Sequence, residues 1–243
     1  MAVHVEHRGE VRVLTIDRPE RRNAVDHTTL VALLAAIDSA REGRTRALVL
    51  TGAPPAFCAG ADLTGVEDAE FAGALRAVLD GLTSLPAATI AAVDGPALGA
   101  GTQLACACDL RVATSSSRFG IPAAKLGLVV DPWTVTRASL LFGGGPARAM
   151  LLAAETYDGE AAHRLGFVQR LGDLASALAW AEQIAALAPL TIAGHKLALE
   201  RPAVPGHPDP DVAAASAAAW SSEDAREGRS AFLEKRPPRF TGR

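Results

Sequence analysis

The chain is poor in the residues that would staple, anchor or metallate it. Its three cysteines do not make an even disulfide framework. Cys58 stands alone, while Cys106 and Cys108 share Ala-Cys-Ala-Cys-Asp, too close for an ordinary bridge and without the partners zinc requires. Buried thiols in a reducing cytoplasm are the expectation. No run of about 18 apolar residues occurs, so no membrane span is expected. The opening stretch MAVHVEHRGEV lacks the basic, apolar and small-residue order of a secretory signal. Positive charge is not in excess either. The 24 Lys and Arg face 27 Asp and Glu, and the net charge of −3 argues against a nucleic-acid partner. Basic residues at Arg18, Arg21 and Arg22, and at Lys235, Arg236, Arg239 and Arg243, fit small anions such as phosphates. Low-complexity tracts and solenoid-spaced repeats are lacking too.

What is present is 243 residues, 49% of them hydrophobic. That is enough for a large core in one domain, or in one domain with an appendage. Val3 to Glu6 and Val11 to Ile16 read as a β-hairpin around Arg8-Gly9. Thr28 to Ala40 has helical spacing, with Asp26 or Thr28 as the N-cap. Ala47 to Leu50 and Thr89 to Val93 are short buried strands, separated by an amphipathic helix over Ala69 to Leu82. A further helix is expected from Gly99 to Cys106 and a strand at Leu110 to Ala113. Strands alternating with helices predict an α/β fold. From about Asp173 onward the pattern is helical: Leu174 to Ala188, Thr191 to Glu200, and Asp211 to Glu234 with interruptions. Pro202, Pro205, Pro208 and Pro210 mark a connector there. The Ala-rich stretch from Val212 to Trp220 has little bulk for a core of its own, so it is expected to dock on the sheet domain or on another subunit.

Two segments carry the chemistry: Phe57-Cys58-Ala59-Gly60-Ala61-Asp62-Leu63 and Asp94-Gly95-Pro96-Ala97-Leu98-Gly99-Ala100-Gly101. One such glycine turn after a strand is ordinarily no more than a tight turn. Two of them, each fed by an apolar strand, offer two backbone N–H groups to one point, as needed to hold an oxyanion. Asp62 is expected to orient its turn through local hydrogen bonds.

Together with Asp17-Arg18-Pro19-Glu20-Arg21-Arg22-Asn23-Ala24, Asp109-Leu110-Arg111-Val112-Ala113 and the terminal Phe232-Leu233-Glu234-Lys235-Arg236-Pro237-Pro238, these turns resemble the enoyl-CoA hydratase/isomerase (crotonase) superfamily over essentially the whole chain. The resemblance implies a crotonase spiral of ββα units in two sheets over residues 1–187. It implies a helical oligomerisation region over 188–243 and a homotrimer or dimer of trimers. It implies a thioester enolate held by the N–H groups of Ala61 and Ala100, with no cofactor beyond the coenzyme A thioester itself. Pre-aimed donors in a dry pocket stabilise such an oxygen by about 3–4 kcal/mol each, and a helix starting near Gly99 adds its positive end. For coenzyme A the resemblance implies Arg22, Ala24, Ala59, Ala61, Asp62, Leu63 and Thr64, with Phe232 and Lys235 reaching the nucleotide, in part from a neighbouring subunit. It also places the small-residue helix at Ala69 to Leu82 along the acyl chain.

The chain departs from the family where a hydratase carries two glutamates. Gln103 and Ala123 stand at those positions. An amide bonds a water but takes no proton from it, and alanine does neither. General acid–base groups contribute about 10²–10⁴-fold each, so polarisation and binding should survive while hydration fades. Asp131, in Gly127-Leu128-Val129-Val130-Asp131-Pro132-Trp133, falls where relatives such as dienoyl-CoA isomerases carry a working aspartate. Set among Leu128, Val129 and Trp133, it is expected in apolar surroundings that suit proton shuttling. The same residue is a good N-cap for a helix with proline at its first position. His163 and His195 read as surface or packing residues, and Tyr157 and Lys125 are single polar residues with no partner that the sequence identifies. Three functions stay open: an enoyl-CoA hydratase or isomerase acting through Asp131 with Gln103 positioning water or substrate, a non-catalytic long-chain acyl-CoA binding or carrier protein, and a structural subunit of a larger fatty-acid complex.

Overall fold

The computed structural model describes residues 2–43, 45–62, 69–201 and 209–243. The chain opens on β1 (Val3–Arg8) and β2 (Val11–Ile16), paired antiparallel in the expected hairpin. Asp26 caps α1 (His27–Glu42) by accepting the Thr29 N–H. β3 (Ala47–Gly52), α2 (Ala69–Ser84), β4 (Ala88–Val93) and β5 (Pro96–Leu98) follow. α3 (Ala100–Ala107), β6 (Leu110–Ala113) and β7 (Arg118–Gly120) come next. A 3-10 turn at Pro122–Leu126 leads to α4 (Pro132–Phe142) and α5 (Gly144–Leu152). β8 (Thr156–Asp158), α6 (Gly159–Arg164) and β9 (Arg170–Leu171) precede α7 (Leu174–Ala185) and α8 (Pro189–Glu200). The chain ends in α9 (Pro210–Ser221) and α10 (Glu223–Glu234).

Two sheets result. The larger has the order β1-β2-β3-β4-β6-β9, parallel after the first hairpin, and the smaller the order β5-β7-β8. The chain alternates between them: β4 and β6 join the large sheet, and β5 and β7, which directly follow each, join the small one. A helix then closes each unit, so the spiral of ββα units is realised.

Strand periodicity decides the two cores. Leu48 and Leu50 of β3 face one side with Leu14, Ile16, Ala91 and Val93, against the helices that line the site. Ala47 and Val49 face the other with Val11, Val13, Ile90 and Ala92, under Ala177, Leu178, Ala181 and Ile184 of α7. A strand covered on both faces must be apolar at every position, which is why these strands read as unbroken hydrophobic runs.

The helical half differs from the sequence expectation in its breaks. α7 stops at Ala185 rather than Ala188, because Pro189 begins α8 and proline suits only a first turn. α9 and α10 are separated by Ser222, whose hydroxyl accepts the Ala225 N–H and starts the second helix. α8 is pinned to the sheet domain by buried Lys196, which donates to the Leu82 and Ala87 carbonyls (2.8 and 3.1 Å) and to Asp109 (2.8 Å). α9 buries none of its residues, and Trp220, Phe232 and Leu233 are exposed. Among the described residues no single helix is long and apolar enough to cross a membrane.

Candidate functional site

The two glycine turns meet. After β3 the chain runs beside β5: the Cys58 N–H donates to the Pro96 carbonyl, and the Leu98 N–H to the Cys58 carbonyl (both 3.0 Å). On its other side it bridges to Val25, whose N–H donates to Gly60 (2.9 Å) and whose carbonyl accepts the Asp62 N–H (2.8 Å). In that parallel bridge the N–H of Ala61 points away from Val25. Glycine is required for the approach. Gly60 and Gly99 have φ of 125° and 51°, and a Cβ on Gly60 would stand 3.3 Å from the Leu98 carbonyl oxygen. A Cβ on Gly101 would lie 2.1 Å from the Cys58 carbonyl oxygen, so α3 starts flat against the first turn.

α3 starts at Ala100 with Gly99 as a cap that has no side chain to offer. Among the described residues neither the Ala61 nor the Ala100 N–H has a protein acceptor. Both residues line one cavity of about 850 Å³. Two free donors and the positive end of α3 therefore serve the same space.

Three residues hold this arrangement, and sequence reasoning gave no such role to any of them. Buried Thr102 shares its hydroxyl proton between the Ala97 and Gly120 carbonyls (2.6 and 2.9 Å) and accepts the Gly120 N–H (3.0 Å), tying α3 to the small sheet. Asn23, the chain's single asparagine, is fully buried at φ 57°. Its amide donates to the Ala53 and Ala56 carbonyls and its oxygen accepts the Arg18 N–H. Asparagine tolerates the left-handed region better than most residues, which is the one signal the sequence offered. Arg18, expected with Arg21 and Arg22 to meet small anions, is spent inside the protein instead. Its guanidinium binds the Ala24 carbonyl, Asp26 at 3.0 Å and Asp62 at 3.3 Å. Asp62 is thus tied to Arg18, a partner distant in sequence.

The cavity is walled by α2, α3, the 3-10 turn and the start of α4. Phe71, Leu75, Ile121, Leu126 and Val130 are among its apolar residues, and its polar side chains are Arg76, Gln103 and Asp131. Ala123 contributes only a methyl group to the wall, its carbonyl accepting the N–H groups of Gly127 and Leu128. Asp131 caps α4, accepting the Thr134 N–H at 3.2 Å and the Thr134 hydroxyl at 2.5 Å. The buried Gln103 amide donates to Thr134 Oγ1 at 2.7 Å and reaches Asp131 Oδ2 at 3.4 Å. Arg76 lies 3.8 Å from Asp131, forms an ion pair with Asp80 at 2.6 Å and stacks over Trp133. The hydrogen bonds of Asp80, and after them the charges of Asp80 and Asp131, push the Arg76 guanidinium still higher in pKa. The apolar setting expected for Asp131 is not what the fold provides. Its side chain is 42% exposed, and donors from Thr134, Gln103 and Arg76 face it.

The structure brings Ala59, Ala61, Ala100, Gln103, Ala123 and Asp131 to this one cavity. Arg22, Ala24 and Asp62 stand behind the first turn, where the Arg22 carbonyl accepts the Ala59 N–H at 3.0 Å. Phe232 and Lys235, on and just after α10, do not line it. Leu63 and Thr64 lie outside the described residues. Cys58 sits directly under the site but is sealed, and burial pushes its thiol up to about 12. Of the motif around Asp109, the acid holds Thr89 and Lys196. Fully buried Arg111 donates to the carbonyls of Ala105, Cys108, Asp109 and Phe167. Burial lowers the pKa of that guanidinium. The motif is a brace for the sheet rather than part of the site. Among the described residues no cluster of His, Cys, Asp and Glu could hold a metal ion.

Comparison with known proteins agrees with this geometry. The enoyl-CoA hydratase/isomerase family matches residues 6–243. The probable enoyl-CoA hydratases echA6 of Mycobacterium tuberculosis and Mycobacterium bovis are each 44% identical over 95% of this chain and 96% of their own. An enoyl-CoA hydratase/carnithine racemase from Magnetospirillum magneticum superposes with a TM-score of 0.91 at 29% identity, covering 100% of this chain and 96% of that one. The enoyl-CoA hydratase EchA1 of Mycobacterium marinum gives 0.84 at 35% identity, with both chains fully covered. With its ββα spiral, helical C-terminal region and CoA-thioester-binding fold, the chain belongs to the enoyl-CoA hydratase/isomerase (crotonase) family.

Proposed function

We propose that this protein binds fatty acyl and enoyl thioesters of coenzyme A, receives the thioester oxygen on the N–H groups of Ala61 and Ala100, and does not hydrate the double bond. The observation that carries this reading is the pair of amides without acceptors among the described residues, on the wall of a largely apolar cavity of about 850 Å³. The relatives are named hydratases, but Gln103 and Ala123 stand where the hydratase glutamates are expected. An amide whose N–H groups are already given to Thr134 and Asp131 has no basic atom with which to activate water. Ala59 and the backbone behind it would follow the pantetheine arm, with Arg22 and Ala24 along the same groove. Residues 1–187 would form the binding core and 188–243 a self-association region, giving a homotrimer or a dimer of trimers. The exposed Phe232 and Lys235 would then meet the nucleotide of a neighbouring copy. Three buried free cysteines fit a reducing cytoplasm.

The test is crotonyl-CoA turnover measured beside calorimetric binding of a saturated acyl-CoA. Binding without hydration is expected. Hydration at rates of 1 per second or more, the order of typical enzymes, would sink the reading, as would failure to bind either thioester. A second reading, double-bond isomerisation through Asp131, draws on the position of that half-exposed carboxylate in the cavity wall. If 3-enoyl to 2-enoyl conversion is found, Asp131→Asn should abolish it, and full activity in that variant would rule Asp131 out as the base.

A further inference from the structure

We propose that Thr102 is the positioning residue of the oxygen-binding pair: its buried hydroxyl aims the Ala100 N–H at the point that the Ala61 N–H also serves. This rests on the acyl-CoA reading of the cavity and adds to it the residue that sets the aim.

The need for such a residue follows from how α3 begins. Two backbone donors stabilise one oxygen well only when both are fixed before the ligand arrives. A helix N-terminus ordinarily gains that rigidity from a capping box. The cap side chain accepts an N–H of the first turn, and the third helical residue reaches back to the cap N–H. Gly99, the cap of α3, has no side chain to give, and Ala100 and Gly101 after it carry no polar one. Thr102 stands third, where a capping box places its second member.

Here the box closes through a neighbouring strand. The Gly99 N–H donates to the Gly120 carbonyl of β7 at 2.8 Å. The Thr102 hydroxyl meets that same carbonyl at 2.9 Å and accepts the Gly120 N–H at 3.0 Å. Both backbone groups of Gly120 thus hold the first turn of α3. The hydroxyl proton is shared with the Ala97 carbonyl of β5 at 2.6 Å, and Ala97 is the residue that bridges to Cys58 in the first glycine turn. One side chain therefore ties the helix that carries Ala100 to the strand that carries the turn of Ala61. Thr102 is fully buried, so these bonds form without competition from water.

β7 also places the cavity wall. It runs straight into Ile121, Pro122 and Ala123, which line the cavity. Gly120 itself is seated against β8, since a Cβ there would stand 2.7 Å from Thr156 Cγ2. The direction of the Ala100 N–H is thereby set against the wall that receives the ligand, and not by α3 alone.

The experiment is titration of the full chain with 4-dimethylaminocinnamoyl-CoA, whose absorption band moves to longer wavelength as its carbonyl is polarised. The band is read at saturation, so that occupancy drops out, beside Kd and calorimetric Tm. Thr102→Val keeps the branching of the side chain and removes the hydroxyl. It should lose most of the red shift and raise Kd about fivefold, the worth of one neutral hydrogen bond. Thr102→Ser restores the hydroxyl and should restore the red shift. Thr102→Ala should behave as the valine variant does, and it replaces that variant if valine prevents folding. The matched control is Thr89→Val, at the other end of β4. Thr89 is equally buried, and its hydroxyl donates to the Asp109 carboxylate and accepts the Asp109 N–H (both 2.9 Å). That change should lower Tm and leave the band in place. A red shift unchanged in Thr102→Val and Thr102→Ala would overturn the proposal while leaving the acyl-CoA reading intact. So would a shift lost equally in Thr89→Val, or one that Thr102→Ser fails to restore. A bound probe with no red shift in the unaltered protein, or failure of the thioester to bind, would overturn both.

Discussion

Gly101→Ala perturbs the contact between the two turns by a single methyl group. The added Cβ would lie 2.1 Å from the Cys58 carbonyl oxygen, about 1.3 Å inside the 3.4 Å at which ordinary contact begins. Neither side yields freely. The Cys58 carbonyl is held by the Leu98 N–H at 3.0 Å, and α3 is held to the small sheet through Thr102. Overpacking of this kind costs about 1–3 kcal/mol, and the better helix propensity of alanine offsets about 1 kcal/mol of it. A net loss of about 1 kcal/mol lowers Tm by about 2–4 °C in a chain of this length. Function should suffer more than stability, because the shift separates Ala61 from Ala100. Loss of one oxyanion donor costs about 3–4 kcal/mol in the charge it stabilises. The assay pairs calorimetric Tm with the absorbance of bound 4-dimethylaminocinnamoyl-CoA, whose band moves to longer wavelength as its carbonyl is polarised. The red shift should be largely lost in Gly101→Ala. The control is Gly73→Ala in α2, where an added Cβ meets nothing within 4 Å. There the same change should raise stability by about 0.5–1 kcal/mol and leave the red shift intact. A Gly101→Ala protein with the Tm and red shift of the unaltered chain would refute the account of how the turns meet.

Two predictions concern titrating groups. Burial pushes the thiols of Cys58 and Cys108 up to about 12 and that of Cys106 up to about 11. All three should resist an aromatic disulfide reagent at pH 8 in the folded protein and react once it is denatured, and fast labelling of folded protein would show the site to be open. Glu227 is held near 2 by hydrogen bonds from Arg236 and from the Arg239 N–H, below its ordinary 4.5. A depressed carboxylate stabilises the fold above its unfolded pKa, and that contribution is lost as pH falls through the folded value. The clasp between α10 and the closing segment should thus hold at pH 5 and weaken between pH 4.5 and 2. The Arg239 amide shift followed by NMR should titrate with a midpoint near 2, and a midpoint near 4.5 would show the pair to be solvated.

The large sheet and its helices were legible because burial on two faces writes itself into the chain as apolar runs. β3 and β4 are such runs, and α1 announces itself through Asp26. β5, β7 and β8 were not legible. Each has three residues, too few to show a period, and each exists because its neighbour is there to pair with. The two glycine turns could be read because close backbone approach leaves only glycine and alanine to choose from. The carboxylate at Asp131 could be read as a cap, since a cap is a local relation between Asp131 and Thr134.

By itself, then, the sequence determined the local and the periodic: strand and helix stretches, the two small-residue turns, and the lack of a base at Gln103 and Ala123. Tertiary structure alone decided what meets what. It turned Arg18 from an exposed cation into an internal tie to Asp26 and Asp62, and made the lone asparagine the fastener of a loop. It set Thr134 and Asp131 against the Gln103 amide nitrogen. Arg18 and Asp26 apart, those pairs lie 28 to 44 residues apart in the chain, and no local propensity or period encodes a contact across such a separation. Only the packing of α3 against α4 and of the first turn against the second creates it.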